Sequence, residues 1–346
     1  MSRVNGARST RRSVVANSRR PTCQRTGVGF AAFALALALA AAGVQAQGSW
    51  PERSLRMLTP FAPGGGSDIL ARALGPLVSQ SIGQSIVVDN RPGGGGTLGA
   101  GMAVNAAPDG YTFILVSGSY GANAALHDLP YDSVTAIAPI ILIGETGLIA
   151  TMNPKKTPIK SVRDLIAFAN ANPGKLNFGS AGVGGLGHLS QELFQLMTHV
   201  KITHVPYKGS GPVMNALLAG EVESSFSSLV PSIPHIKAGR LYPIGITTPQ
   251  RNPAVPEVPS IGETVPGYSV THWYGIWGPK GIPNDIVVRM NKEFAKVIHS
   301  DVIKKWLAAE GMIAAGGPPE QFRDRIKSDV EKWKKLVKQA NIVIAR

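Results

Sequence analysis

The stretch LRMLTPFAPGGGSDILARALGPLV (55–78) decides the fold. Its opening apolar run, 55–61, predicts a β-strand, and the glycine-rich turn after it leads to Ser67 and Asp68, both good N-cap residues. The apolar residues that follow have helical spacing and predict one buried face, made of Ile69, Leu70, Ala73, Leu77 and Val78. Glycine lets a backbone approach a ligand closely, so a carboxylate at this turn would meet N–H donors at a helix N-terminus. A turn without a ligand is the alternative interpretation.

The same alternation of strand and helix continues along the chain, without a repeat of fixed period. Ser161, with Asp164 three residues later, predicts the start of a helix by a capping box. Strands that alternate with helices favour an α/β fold with parallel sheets. The predicted strands cover 55–61, 85–90, 111–117, 136–144, 147–153, 176–182, 201–209, 221–228, 241–248 and 268–279.

Turns rich in glycine or serine follow several of these strands. In α/β folds, ligands bind beyond the carboxyl ends of the strands, and turns of this kind present unpaired backbone N–H groups that cradle anions. The sequence therefore predicts an anion-binding site built from several loops. The turns are PGGGSD (63–68), SGSYGAN (117–123), SAGVGG (180–185), YKGSG (207–211) and the serine pair 227–228.

The N-terminal 46 residues predict a secretory signal peptide. Residues 1–27 hold seven arginines and no acidic residue, 28–46 are uncharged and mostly apolar, and small residues end at Ala46. An N-terminal membrane anchor is the alternative. Removal of this segment lowers the net charge from +14 to +7 and removes the one cysteine, Cys23. An exported chain without cysteine forms neither an internal disulfide nor a Cys-based zinc site.

Several other classes of function find no support. The pattern Gly94-x-Gly96-x-x-Gly99 lacks the acidic residue of a dinucleotide site, and P-loop and G-x-S-x-G motifs are absent from the sequence. His188 and Glu192 lie four residues apart, but a third metal ligand is not evident. A mature charge of +7 without an aromatic platform argues against nucleic-acid binding. We therefore expect no cofactor, no metal and no nucleic acid.

Several ordered motifs between Trp50 and the C-terminus resemble the receptors of the tripartite tricarboxylate transporters, also called Bug or TctC-like proteins. These motifs are WPERSLRMLTPFAPGGGSDILAR, VVDNRPGGGGTLGA, AAPDGYTFIL, LPYDSVTAIAPI, THVPYKGSGP, PHIKAGRL and the Trp-Tyr-Gly at 273–275. The resemblance implies a periplasmic type II binding protein, with two lobes, a central cleft and two hinge crossings. We expect lobe 1 at 47–147 and 252–346, and lobe 2 at 148–251.

The resemblance also implies the ligand-binding residues. The first lobe would supply its glycine-rich loop and a second strand-end loop, and the second lobe would supply the facing wall with Lys208 as counter-charge. A surface lysine is the alternative for Lys208. The implied residues are Phe61, Ala62, Pro63, Gly64, Gly65, Gly66, Ser67, Asp68, Ser117, Ser119, Ser180, Ala181, Gly182, His188, Tyr207, Lys208, Gly209, Ser210 and Ser227.

Ser227 departs from the family pattern, because many relatives carry an aspartate after the phenylalanine that matches Phe226. That aspartate can meet the ammonium of an amino-acid ligand, so we expect a di- or tricarboxylate or an aromatic acid instead. The expected protein is a monomer without enzymatic activity, which captures a small organic anion by Venus-flytrap closure and delivers it to a membrane permease. A ligand-dependent accessory to a periplasmic sensor and an exported α/β hydrolase are the alternatives.

Overall fold

The computed structural model describes residues 50–339. The predicted signal peptide at 1–46 lies outside this range. The strands are β1 (Leu55–Thr59), β2 (Ile86–Asn90), β3 (Thr112–Ser117), β4 (Ile137–Met152), β5 (Asn177–Ser180), β6 (Thr203–Pro206), β7 (Ser224–Ser228), β8 (Tyr242–Ile246), β9 (Thr271–Pro279) and β10 (Ile313–Ala314). The α-helices are α1 (Gly66–Ile82), α2 (Thr97–Val104), α3 (Ser119–Leu126), α4 (Val162–Ala171), α5 (Leu186–Thr198), α6 (Ser210–Ala219), α7 (Leu229–Lys237), α8 (Asn284–Ile298), α9 (Asp301–Ala309) and α10 (Pro319–Gln339).

The strands form one mixed sheet in the order β2-β1-β3-β9-β4-β7-β5-β6, and β8 and β10 also pair with β4. Strands β1, β2 and β3 are parallel to one another, and so are β5, β6 and β7. The centre is antiparallel, because β9 runs opposite to both β3 and β4. The predicted α/β class is confirmed, whereas a wholly parallel arrangement is wrong for these central strands.

Strand β4 joins the two groups of strands. Its residues 137–147 pair with β9, and its residues 148–152 pair with β7 and β8. The sequence predicted two strands here, 136–144 and 147–153, but the backbone continues in one strand. Register shifts at Pro139/Ile141 and Leu142/Gly144 mark irregularities at which a long strand can bend. The two groups of strands thus share a continuous connection.

Alternation along β9 places successive side chains on opposite faces of the sheet. Trp273 and Trp277 pack with Phe322 of α10 on one face. Tyr274 and Ile276 belong to another core, in which α1 and α8 cover the sheet. A third core, around β5 and β7, is covered by α4 and α5. Each group of strands therefore has its own apolar core beneath its loops.

Two helices at the predicted binding loops differ from expectation. Helix α1 begins at Gly66 with Gly65 as its N-cap, one or two residues before the predicted start. Its buried face uses Leu70 and Leu74, whereas Leu77, predicted on that face, is 36% exposed. Helix α3 lies where the sequence indicated only a serine-rich turn after β3. Both differences bring a helix N-terminus to the end of a strand.

Candidate functional site

A cavity of about 30 Å³ lies where the loops that follow several strands meet. It holds about two water molecules at most, which is much less than the few hundred Å³ of an ordinary ligand pocket. A larger solute therefore enters only when the walls separate. The lining residues are Phe61, Gly65, Gly66, Ser67, Ser117, Ser119, Leu148, Ala181, Leu186, Gly187, Ser210, Phe226, Ser228, His272 and Tyr274.

Five helices of the described chain begin at this cavity. Helix α1 contributes its N-cap and first turn, α3 begins at Ser119, α5 at Leu186 and α6 at Ser210. Ser228 is the N-cap of α7. The first N–H groups of a helix have no partner within it and carry a partial positive charge. None of the described lining residues carries a charged side chain, so these helix ends and the hydroxyl groups set the polarity of the cavity.

The loop between β1 and α1 is held in place from outside the cavity by Asp68. Its buried carboxylate accepts hydrogen bonds of 3.0 Å from Gly64 N, Arg72 Nε and Asn90 Nδ2. Burial opposes ionisation of Asp68, but these hydrogen bonds outweigh it and hold the pKa below its usual value. Asp68 is absent from the cavity lining. Asp68, which was predicted to contact the ligand, therefore holds the loop in place and is not part of the cavity wall.

Strand β9 forms the back wall of the cavity. His272 and Tyr274 line it, whereas Trp273 faces the other way and donates a 3.0 Å hydrogen bond from Nε1 to Asp329. Burial, together with the nearby Arg325, lowers the pKa of His272 to about 3, so its ring is neutral near pH 7. Nδ1 of His272 has no hydrogen-bond partner within the described range. Its ring packs edge-on against Tyr274, with the centroids 4.7 Å apart.

Strand β7 completes the back wall through alternate residues. Phe226 and Ser228 line the cavity, whereas Ser225 and Ser227 share a 2.7 Å hydrogen bond between their hydroxyls. Side chains at positions i and i+2 of a strand share a face, so Ser227 lies on the face opposite the cavity. The structure does not bring the predicted Ser227 contact to the site, and its neighbour Ser228 is there instead.

The loop before α5 is supported by two histidines. His188 is buried and its Nδ1 accepts a 3.1 Å hydrogen bond from Gly184 N. Its ring stacks on His204, with the centroids 3.8 Å apart, and His204 Nε2 lies 2.5 Å from Ser180 Oγ. Burial and the neighbouring His188 lower the pKa of His204 to about 4. These residues lie behind the loop, and the cavity is reached by Ala181 of the loop and by Leu186 and Gly187 of the first turn of α5.

The loop before α6 meets the first glycine-rich loop directly. Ala62 N donates a 2.9 Å hydrogen bond to the carbonyl oxygen of Lys208. The Lys208 residue is exposed, and it is absent from the cavity lining. A β-carbon added to Gly211 would overlap the Pro63 carbonyl oxygen, so glycine allows this close approach. Ser210 alone among the predicted residues of this loop lines the cavity.

Some of the residues predicted from the sequence line the cavity, and others do not. Predicted residues at the cavity are Phe61, Gly65, Gly66, Ser67, Ser117, Ser119, Ala181 and Ser210. Predicted residues outside the lining are Ala62, Pro63, Gly64, Asp68, Ser180, Gly182, His188, Tyr207, Lys208, Gly209 and Ser227. Ser228 lines the cavity too, and the sequence predicted it only as part of the serine-rich turn 227–228. Lining residues that the sequence missed are Leu148, Leu186, Gly187, Phe226, His272 and Tyr274. Alternation along β7 and β9 groups Phe226 with Ser228 and His272 with Tyr274, but which face meets the cavity depends on how these strands pair.

Within residues 50–339, no group of three or more His, Cys, Asp and Glu side chains has the arrangement of a metal site. None of the helices in the same range is both long and apolar enough to cross a membrane.

Two groups of strands joined by β4, with a cavity ringed by helix N-termini, define the class of the two-lobed periplasmic binding proteins, and solved structures with this fold are of that class. The family model described as the tripartite tricarboxylate transporter family receptor matches residues 70–342. The chain belongs to this family. The resemblance recognised in the sequence and the two-lobed α/β fold are thereby confirmed.

Individual relatives match nearly the whole chain. Protein BugT of Bordetella pertussis is 33% identical over 308 residues, which cover 87% of this chain and 94% of BugT. Rpa4515 of R. palustris, solved with adipate, has a TM-score of 0.81 and 36% identity, covering 85% of this chain and 99% of that one. MatC (Rpa3494) from Rhodopseudomonas palustris, solved with bound malate, has a TM-score of 0.80 and 28% identity, covering 83% and 100%.

Proposed function

We propose that this protein captures a small carboxylate in the cavity between its lobes and delivers it to a membrane permease of the tripartite tricarboxylate type. The observation that carries the proposal is the convergence of five helix N-termini on a cavity without charged side chains. Relatives solved with adipate and with malate support a carboxylate as the ligand.

The helix ends explain how an anion is held without a lysine or arginine. An anion at one helix N-terminus gains about 0.3–1 kcal/mol in exposed settings, and more where it is partly buried. Several helix ends and hydroxyl groups together compensate the hydration that a carboxylate loses on leaving water. An ammonium group would find no acidic partner among the described lining residues. An amino acid is therefore the less favoured ligand, as the sequence indicated for a different reason.

Closure of two lobes is the proposed mechanism. We assign lobe 1 to 47–147 and 252–346, and lobe 2 to 148–251. Among the hydrogen bonds that then cross between the lobes, two join loops that face each other at the cavity, one from Ala62 N to Lys208 O and one of 3.1 Å from Leu186 N to Ser119 Oγ. Because the cavity holds only about 30 Å³, these contacts must part to admit a solute. A ligand shifts the population towards the closed form by its preference for that form.

The proposed location is the periplasm, with residues 1–46 as the export signal and cleavage near Ala46. The basic and then apolar composition of this segment supports export, and so does membership of a family whose fold is that of periplasmic binding proteins. Delivery to a permease is supported by the description of the family as a transporter receptor. Cell fractionation and ligand uptake in a strain that lacks this protein test these two points.

The site assignment is tested by a thermal-shift screen of carboxylates on the purified protein. A ligand at a hundred times its Kd should stabilise the native state by about 2.7 kcal/mol. The variant Gly65→Val introduces a branched side chain at the first loop, opposite Ser210, and should remove this stabilisation. The control Gly101→Ala lies in open space on α2 and should leave it intact. A screen in which no carboxylate stabilises the wild-type protein would reject the proposed function.

A further inference from the structure

The helix ends around the cavity fall into two groups. The N-termini of α1, α6 and α7 form the first group: a β-carbon on Gly65 would lie 3.7 Å from Ser210 N, and one on Gly66 would lie 3.0 Å from Ser228 Oγ. The N-termini of α3 and α5 form the second group, in which Leu186 N donates to Ser119 Oγ. We call these groups the first pole and the second pole.

Strand β9 presents one aromatic side chain to each pole. Tyr274 belongs to the first pole, because its hydroxyl shares a 2.5 Å hydrogen bond with Ser228 and contacts Gly66. His272 belongs to the second pole, because a β-carbon on Gly118, just before α3, would lie 3.1 Å from its Nδ1 and 3.0 Å from the Leu186 side chain. The cavity wall thus continues from one pole to the other along a single strand.

His272 has a polar atom that the protein does not use. The residue is 4% exposed, and within the described range its Nδ1 lacks a hydrogen-bond partner. A buried polar atom without a partner costs free energy, and a ligand oxygen at hydrogen-bond distance recovers it. The neutral ring has one N–H donor, which stands on Nδ1 when a carboxylate oxygen accepts from that atom, and burial keeps the ring neutral near pH 7. An oxygen of a ligand at the second pole would therefore meet helix N–H groups and an unused imidazole together.

The spacing of the two poles follows from strand geometry. Positions i and i+2 of a β-strand lie about 6.6–6.8 Å apart along the backbone, and the rings of His272 and Tyr274 are closer, with their centroids 4.7 Å apart. Four or five C–C bonds of about 1.5 Å each span about 5–6 Å in an extended chain. A linear dicarboxylate of five or six carbons thus matches the distance between the poles.

We propose that His272 is the specificity-determining residue of the site, and that it binds the second carboxylate of a linear five- or six-carbon dicarboxylate. This inference rests on the proposed function, since the first carboxylate occupies the first pole. A monocarboxylate would leave Nδ1 of His272 without a partner, and a third carboxylate would find no further group of helix ends among the described lining residues.

The test compares His272→Phe with wild type by isothermal titration calorimetry. Phenylalanine keeps an aromatic ring beside Tyr274 but removes both nitrogens. Glutarate and adipate are the dicarboxylate probes, and pentanoate and hexanoate are the matched monocarboxylates. Wild type should bind the dicarboxylates at least tenfold more tightly than their matched monocarboxylates. His272→Phe should lose tenfold or more for the dicarboxylates and twofold or less for the monocarboxylates.

Two further variants keep the result interpretable. His272→Asn retains a donor near the position of Nδ1 and should recover most of the dicarboxylate affinity. The control His235→Phe makes the same change away from the cavity, and it should leave the affinity for both classes of ligand unchanged. Thermal unfolding of each variant establishes that it is folded before binding is measured.

The possible results of these titrations distinguish failure of this inference from failure of the proposed function. The role assigned to His272 would be overturned if His272→Phe lost equal affinity for both ligand classes, or if it bound the dicarboxylates as tightly as wild type does. The chain length would be overturned if succinate bound more tightly than glutarate and adipate. The proposed function would survive each of these results. If neither class binds the wild-type protein and no other carboxylate does, the proposed function fails and this inference fails with it.

Discussion

Ser228 and Tyr274 share a hydrogen bond of 2.5 Å between their hydroxyl oxygens at the back of the cavity. Ser228 ends β7 and caps α7, whereas Tyr274 lies in β9, so the bond connects the two strands that flank β4. Both residues are buried. Burial raises the pKa of the Tyr274 hydroxyl, which keeps it protonated and available as a hydrogen-bond donor. The bond therefore fixes the relative position of the two sides of the back wall.

Removal of this bond should destabilise the native state. Tyr274→Phe leaves the Ser228 hydroxyl buried without its partner, and we expect the free energy of unfolding to fall by about 1–3 kcal/mol. Urea denaturation measures this change. Ser228→Ala should have a similar effect, and the double variant should cost less than the sum of the two because they disrupt one interaction. Strict additivity would show that the two hydroxyls contribute independently.

Gly66 should not tolerate a side chain. A β-carbon at this position would overlap the Tyr274 hydroxyl, which is fully buried and cannot move aside cheaply. We expect Gly66→Ala to displace the start of α1, lower the free energy of unfolding by about 1–3 kcal/mol and weaken ligand binding. The control Gly75→Ala lies in the same helix, where the nearest contacts of a β-carbon are 3.6–3.7 Å. It should be neutral or stabilising by up to about 1 kcal/mol. Similar results for both variants, in thermal unfolding and in titration, would contradict this account.

The sequence located the loops that follow strands, because these have a local signature. Ser67, Ser117, Ser119 and Ser210 were found since each lies in a glycine- or serine-rich turn directly after an apolar run, and all four line the cavity. Such turns are set by backbone requirements that a few neighbouring residues satisfy. Helix α3 was missed because its glycine, alanine and asparagine residues also fit a turn.

The back wall could not be found in the same way, because it depends on pairing between distant segments. His272 and Tyr274 reach the cavity only because β9 is inserted antiparallel between β3 and β4. Ser227 was expected to contact the ligand, but its neighbour Ser228 lines the cavity. An error of one residue is enough, because a shift of one position along a strand moves a side chain to the other face. Lys208 was expected to contact the ligand through its side chain. In the structure its backbone carbonyl oxygen makes the contact instead, by accepting a hydrogen bond from Ala62 N.

Asp68 should affect binding without contacting the ligand. Asp68→Asn replaces a carboxylate that accepts bonds from Gly64 N, Arg72 and Asn90, and we expect a loss of about 1–3 kcal/mol in unfolding free energy together with weaker ligand binding. Arg72→Gln is the control. The Arg72 side chain is 55% exposed, so the loss should be about 0–1 kcal/mol.

The pH dependence of the Asp68 contribution has a definite sign. The pKa of Asp68 is lower in the folded protein than its ordinary value, so its stabilising effect is complete above that ordinary value and is lost as the pH falls through the lower one. The difference in unfolding free energy between wild type and Asp68→Asn should therefore shrink in strong acid. A difference that stays constant from pH 7 to pH 2 would show that the carboxylate charge is unimportant.

His204 should make the protein less stable in mild acid. Burial and the stacked ring of His188 lower its pKa to about 4, although Glu192 opposes part of this effect. The unfolded chain therefore takes up a proton near pH 6.5, before the folded protein does, and the unfolding free energy should fall as the pH drops from about 6.5 to about 4. The slope is at most about 1.4 kcal/mol per pH unit for one proton, and less here because the ring is partly exposed.

Substitution at the same position separates this effect from other acid-sensitive groups. His204→Gln cannot titrate, so its unfolding free energy, measured by urea denaturation between pH 4 and pH 7, should fall less steeply than that of wild type. Ser180→Ala is the control, because it removes the 2.5 Å contact with His204 Nε2 but keeps the buried, titratable ring. Its pH profile should remain parallel to wild type at a lower stability. Parallel profiles for wild type and His204→Gln would place the acid sensitivity elsewhere in the molecule, whereas a flattened Ser180→Ala profile would assign it to the hydrogen bond rather than to burial of the ring.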